Sequence, residues 1–160
     1  MGRLNMTIVN LSKNSNGPSL PKKSYSTGNG RRTFLSYLFT MISASLLVTY
    51  IEIWLITQNY YIFLTRPFPN VFPIDIRFTL LVIPAFTLFA LWVMKSVSGL
   101  TRFVFIFLAS VLAMVLEPVM EDIGVIAFSS KWKHIYSFFG YAAFLLLIQS
   151  IHDWVRRIDN

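Results

Sequence analysis

The chain has 160 residues, 55% of them hydrophobic and only 13% charged, with a formal charge of +7. A soluble domain carries about twice that share of charged residues, so composition excludes an ordinary water-soluble globule and makes a bilayer the natural solvent. The absence of cysteine excludes disulfides, thiolate metal sites and a cysteine nucleophile.

Nucleic acid is excluded as a partner by where the basic residues lie. Arg3, Lys13, Lys22, Lys23, Arg31 and Arg32 precede the first apolar run, and the others are scattered between and beside the later runs instead of forming a patch.

Residues 1–32 are rich in Ser, Asn, Gly and Lys, with Pro18 and Pro21 and little apolar periodicity. Such a segment buries too little surface to offset the entropy of ordering, which predicts a disordered basic tail. Two glycosylation-type triplets begin at Asn5 and Asn10, but a cytoplasmic tail does not meet the transferase. The apolar run that follows is too long for a secretory signal and lacks a small-residue cleavage site, so it is expected to stay in the protein.

Residues 33–160 are expected to form an all-α, polytopic transmembrane domain: four helices in a bundle, spanning about 33–56, 78–94, 103–120 and 135–151. The first run has Glu52 as its sole charge and is long enough for about 30 Å of hydrocarbon. The second is uncharged, and Pro84 within it predicts a kink or a locally rearranged turn. The third follows Arg102 and ends on Glu117, Pro118, Glu121 and Asp122, while the fourth lies between Lys131, Lys133, His134 and Asp153, Arg156, Arg157. Between the first two runs, Tyr60, Tyr61, Phe63, Phe68 and Phe72 interleave with Pro67, Pro69 and Pro73. Proline forbids a regular helix there, and the rings suit the headgroup layer.

Counting Lys and Arg on alternate sides gives orientation. With the amino end inside, ten fall on the cytoplasmic side and four, Arg66, Arg77, Lys131 and Lys133, on the other. Both termini are therefore expected in the cytoplasm and the chain in a plasma membrane. Lys22, Lys23, Arg31 and Arg32 are close enough to the first helix to touch anionic lipid.

Topology then gathers the acidic residues. Glu52, Asp75, Glu117, Glu121 and Asp122 all fall at the outer ends of their segments, together with Arg77 and His134, and this set is the candidate polar or ion site. Glu117, about 22 Å along its helix from Arg102, lies deepest, within the hydrocarbon. A carboxylate there must face the bundle interior, pair with a cation or be protonated, and Arg77 or His134 is its expected partner. Glu117 and Glu121 share a face if the helix persists through Pro118. The set reads as interfacial ion pairs that fix helix register, as a proton- or cation-handling cluster, or as a two-carboxylate and histidine metal site. No dedicated metal spacing, Gly-rich phosphate loop or nucleophile motif occurs, so neither metal nor cofactor is expected.

Elsewhere the residues read as packing and anchoring. Ala109 with Ala113 and Gly140 with Ala143 offer small faces for helix approach. Trp54, Trp92, Trp132 and Trp154 mark helix ends as interfacial anchors, and His152 beside Asp153 reads as a solvated pair.

Several stretches carry a resemblance: Arg66-Pro67-Phe68-Pro69, Phe72-Pro73-Ile74-Asp75-Ile76, Val82-Ile83-Pro84, Glu117 and Glu121 before Gly124, and Lys131-Trp132-Lys133-His134-Ile135-Tyr136-Ser137-Phe138. Over roughly residues 35–155 the chain resembles an uncharacterised family of small multi-pass membrane proteins from spore-forming bacteria. The resemblance implies a bacterial membrane protein of about four helices without an assigned activity, and the Ser- and Asn-rich tail departs from that family's pattern. The leading functional class is a binding, assembly or sensory membrane module. A small proton or cation transporter or channel comes second and an intramembrane enzyme third, with His134 as the one plausible acid or base.

Overall fold

The structure, a computed structural model, describes residues 27–158; the expected disorder over 1–26 and the side chains of Lys22, Lys23 and Arg31 lie outside the described residues. Four helices carry the fold: α1 (Thr27–Thr57), α2 (Ile83–Ser96), α3 (Leu100–Asp122) and α4 (Ile135–Ile158). With the turn that leads into α2 counted, each is long and apolar enough to cross a membrane, as fits a multi-pass membrane protein. The first helix begins at Thr27, inside the segment expected to be disordered, because no proline interrupts the chain between Pro21 and Pro67. The fourth continues past Ile151 to Ile158, placing Arg156 and Arg157 in its last turn, where cations complement the helix dipole.

The irregularity expected at Pro84 is a π-helical turn over Phe78–Val82 that runs directly into α2. Pro84 has no N–H, and its ring crowds the carbonyl four residues earlier. Widening the preceding turn, so that the Ile83 N–H reaches the Phe78 carbonyl, relieves that crowding without ending the helix. Pro118 is tolerated inside α3, so Glu117 and Glu121 do lie on one continuous helix.

Two short strands, β1 (Tyr61–Phe63) and β2 (Ile126–Phe128), were not foreseen. They pair antiparallel, with Tyr61 opposite Phe128 and Phe63 opposite Ile126. Their origin is in the helix ends. The Tyr60 N–H bonds the Leu55 carbonyl at 3.1 Å and the Asn59 N–H bonds Ile56 at 2.9 Å, with Asn59 left-handed at φ 58°. At the end of α3 the Val125 N–H bonds Met120 at 3.0 Å and the Gly124 N–H bonds Glu121 at 2.9 Å, with Gly124 at φ 74°. Both are Schellman caps, which satisfy the last carbonyls and reverse the chain. The two reversals bring the chains leaving α1 and α3 together, and they pair. This end of the bundle is hereafter the strand end.

Packing is inside out relative to a soluble bundle. Helix α4 is central and packs against α1, α2 and α3, while α1 also packs on α2. The apolar core comprises Ala44, Ile83, Ala90, Leu91, Met94, Ile106, Phe144, Leu145 and Ile148. Among the best buried side chains are small hydroxyls: Ser36, Thr40, Thr79, Thr87 and Ser110. Several bond a carbonyl one turn back, as Thr40 does to Ser36 and Ser110 to Ile106, both at 2.8 Å. Meanwhile Phe34, Leu46, Leu81, Phe107, Leu112 and Phe139 are exposed. Large apolar groups outside and small ones between helices is the arrangement a lipid solvent favours.

Other expectations are corrected. Gly140 and Ala143 are exposed, and a Cβ at Gly140 meets nothing within 4 Å, so this face makes no close helix approach within the chain. His152 is no solvated partner of Asp153; it is buried, with its ring 4.6 Å from Tyr37, because a step of one residue along a helix turns the side chain about 100°. Trp54, Trp92 and Trp154 are exposed near helix ends, whereas Trp132 is packed among Tyr60, Tyr61, Phe128 and Tyr136.

Leu145, fully buried at the centre of α4, provides a contrast with Gly140. Leu145→Ala should lower stability by about 2–4 kcal/mol, while Gly140→Ala should change it by less than about 0.5 kcal/mol. Unfolding of the purified variants in one detergent checks both.

Candidate functional site

The site is assembled at the strand end, where the C-terminal ends of α1 and α3 meet the start of α4. Glu117, one turn before the end of α3, is half-buried and takes three donors from a single stretch of chain. Its Oε2 accepts from Trp132 Nε1 at 3.0 Å and lies 2.9 Å from His134 Nδ1. Its Oε1 accepts from the Ser137 hydroxyl. His134 is thus the partner, and Arg77 is not.

The local fold explains this convergence. Ser129, Trp132 and Lys133 lie in tight turns between β2 and α4, in which the Trp132 N–H bonds Ser129 at 2.9 Å and the Tyr136 N–H bonds Lys133 at 2.8 Å. That path places residues 132, 134 and 137 on the side facing α3. Phe128 stacks on Trp132 and meets His134 edge-on, with ring centroids 5.9 Å and 5.3 Å apart, so the donors are held from behind by aromatic packing.

The remaining acidic residues are distributed to different tasks. Glu121 accepts the Phe128 N–H at 3.1 Å, tying β2 to the helix that precedes it. Asp122 is exposed at the end of α3. Asp75 is buried and caps the helix that opens with Ile76: its Oδ1 accepts the Arg77 N–H at 2.9 Å, and its carboxylate also takes the Arg77 guanidinium at 2.9 and 3.2 Å. A side-chain oxygen on the second N–H of a helix is the usual N-cap geometry. Arg77 further donates to the Thr65 carbonyl at 3.3 Å. Burial acts to raise the Asp75 carboxyl, but the hydrogen bonds and charge of Arg77 outweigh it and hold the group below its ordinary range.

Glu52 is the most enclosed carboxylate, 5% exposed, with no partner for its Oε2 among the described residues. It lies on the α1 stripe Ser36, Thr40, Ala44, Val48, Glu52, whose spacing of four keeps it on the buried face. Tyr61 and Tyr141 each lie within electrostatic reach of both Glu52 and Glu117. Burial, then Glu52, Tyr141 and Glu117, push the Tyr61 phenol up, which keeps it a neutral hydrogen-bond donor.

Tyr61, Tyr141, Trp132 and Ser137 were absent from the sequence-based set. Trp132 and Ser137 flank His134 at two and three residues, a spacing that could have marked one donor group. The tyrosines carried no local signal, since one lies on a strand and the other within an apolar helix. Among the described residues, no group of three or more His, Asp or Glu is arranged to hold a metal ion. The geometry can hold the Glu117 carboxylate rigidly and enclose that of Glu52.

Asp75 supplies a pH test. Its folded carboxyl lies below the ordinary value of 3.8, so its stabilising contribution is complete above that value and disappears as pH falls through the folded one. Asp75→Ala should destabilise by about 1–2 kcal/mol at neutral pH. The gap from wild type should stay constant down to about pH 5 and close below about pH 4, as read from unfolding midpoints across that range. Comparison of the chain with family models, curated proteins and solved structures returned no match.

Proposed function

We propose that this chain is a multi-pass protein of a bacterial plasma membrane, with both termini cytoplasmic, serving as a binding, assembly or sensory module. The observation that carries the reading is the cage around Glu117: one carboxylate in a membrane-spanning helix engaged by Trp132, His134 and Ser137. A group that carries a proton or ion through a membrane must exchange its partners. Three donors fixed from one segment instead lock α3 to the start of α4 and hold the strand end as a rigid cap. Orientation is supported by the Lys and Arg distribution, with Lys95, Arg102, Arg156 and Arg157 at the end opposite the strands. A bacterial source is supported by the resemblance of residues 35–155 to membrane proteins of spore-forming bacteria.

Proton or cation transfer is the second reading, favoured by Glu52. It is buried, lacks a partner for Oε2 and stands near Tyr61 and Asp75. A buried carboxylate without full pairing is expensive to keep in a membrane helix, and such residues often mark ion pathways.

The readings part in one pair of experiments. In the module reading, Glu117→Gln faces a donor of the cage with its own amide N–H and lowers stability by about 1–3 kcal/mol. Liposomes holding the folded wild type should keep an imposed pH gradient as well as empty ones do. Gradient loss with wild type that Glu52→Gln abolishes, both proteins being folded and inserted equally, overturns the module reading in favour of transfer.

A further inference from the structure

The end of the bundle opposite the strands contains a cavity of about 220 Å³ lined by Leu91, Met94, Lys95, Arg102, Gln149, His152, Asp153 and Arg156. Three helices converge on it: α2 ends at Ser96, α3 begins at Leu100, and α4 contributes residues from its last turns. Three cations face one carboxylate. Lys95 and Arg156 are exposed and form no ion pair among the described residues.

One buried donor in the same wall lacks a partner. Arg102 donates from its terminal nitrogen to the carbonyls of Met94 at 3.0 Å and Val97 at 3.1 Å, but its Nε is buried and unpartnered. His152 is 6% exposed and donates a ring N–H to the Ser36 carbonyl, which leaves its buried Nδ1 an acceptor in the neutral ring. Complementing the ends of α2 and α4 accounts for a cation at Lys95 and at Arg156. It does not account for the Arg102 Nε–H left open beside a cavity, which is the pattern of a site short of an acceptor.

We propose that this cavity binds a phosphate group, held by Lys95, Arg102 and Arg156 with Gln149 completing the shell. The chemistry selects the ligand. Donors arriving from three helices match an anion with several oxygens better than a monatomic one, and guanidinium with ammonium is the usual pair for phosphate. The volume exceeds what a single water needs and falls below the roughly 300–1,000 Å³ of drug-sized sites, which suits one small polar group. The position at a helix-bundle end, flanked by exposed Trp92 and Trp154, is where a lipid headgroup would reach it from the side and a soluble phosphate from the aqueous face. The inference is independent of the role assigned to Glu117, which lies at the other end.

The test uses the full chain purified in a nonionic detergent, with binding followed by native mass spectrometry and thermal unfolding. The probes are phosphatidylglycerol, phosphatidylcholine and inorganic phosphate, with chloride at matched ionic strength as the control. The expected result is one phosphate-bearing anion retained per chain, with a raised unfolding temperature. Affinity should fall roughly tenfold or more in Lys95→Gln/Arg156→Gln and stay unchanged in Lys131→Gln/Lys133→Gln, which removes equal charge from the strand end. Both altered positions in each pair are exposed, and the single substitutions at Lys95 and Arg156 are measured beside the double. Stabilisation by phosphatidylglycerol alone identifies a lipid headgroup as the source, and stabilisation by inorganic phosphate a soluble one. Binding of neither above the phosphatidylcholine and chloride controls, or equal losses in the two double variants, overturns the proposal.

Discussion

The constraint on which the structure depends is that hydrocarbon supplies no hydrogen bonds, so each polar group within the spans must find its partner in the protein. Serine and threonine hydroxyls on α1 and α3 turn back to carbonyls of their own helices, as Thr40, Thr49 and Ser110 do. These small residues also let the helices approach closely, while bulky Leu, Ile and Phe side chains face outward. The same rule governs the charged groups. Glu117 has three donors, Asp75 has Arg77 and a helix start, and Glu121 has a strand N–H. Exceptions to the rule are therefore informative, and among them are two charged groups, Glu52 near the strand end and Arg102 at the other.

The strand end is built by coupling elements that are individually weak. A two-stranded ribbon of three-residue strands does not stand alone in water. Here its ends are set by two Schellman caps, its second strand is anchored by Glu121, and its aromatic side chains pack on Trp132, which in turn donates to Glu117. Loss of any one partner loosens the others, so the arrangement is better described as one cap than as separate ion pairs. Arg66 extends it by binding the Phe63 and Phe72 carbonyls and closing the proline-rich loop, in which Phe68 adopts a left-handed backbone at φ 52°.

The two ends of the molecule differ in how completely their polar groups are used. At the strand end most donors and acceptors are matched to one another, with Glu52 Oε2 and the Ser129 hydroxyl left over. At the opposite end cations outnumber carboxylates around a cavity, and a buried guanidinium nitrogen has no acceptor. A closed cap at one end and an incompletely satisfied site at the other is an asymmetry that hydropathy does not express, since both ends are polar termini of the same apolar helices.

What the sequence by itself determined is whatever depends on composition along a single segment. Four apolar runs with few charges, each long enough for the bilayer, define the helices because insertion depends on summed transfer energy. Pro84 announced a kink or rearranged turn, found as the π-helical one, because a missing N–H acts on its own preceding turn. The tertiary structure alone decided everything that depends on which segments become neighbours. It paired β1 with β2 through the reversals at Asn59 and Gly124, gave Glu117 to His134 and not to Arg77, and placed α4 at the centre. It also turned His152 inward while Asp153 remains outside, and collected Lys95, Arg102 and Arg156 from three helices around one cavity. Hydropathy sets whether a segment leaves water but not its rotation or its neighbours, and the sites of this protein are made by rotation and neighbours.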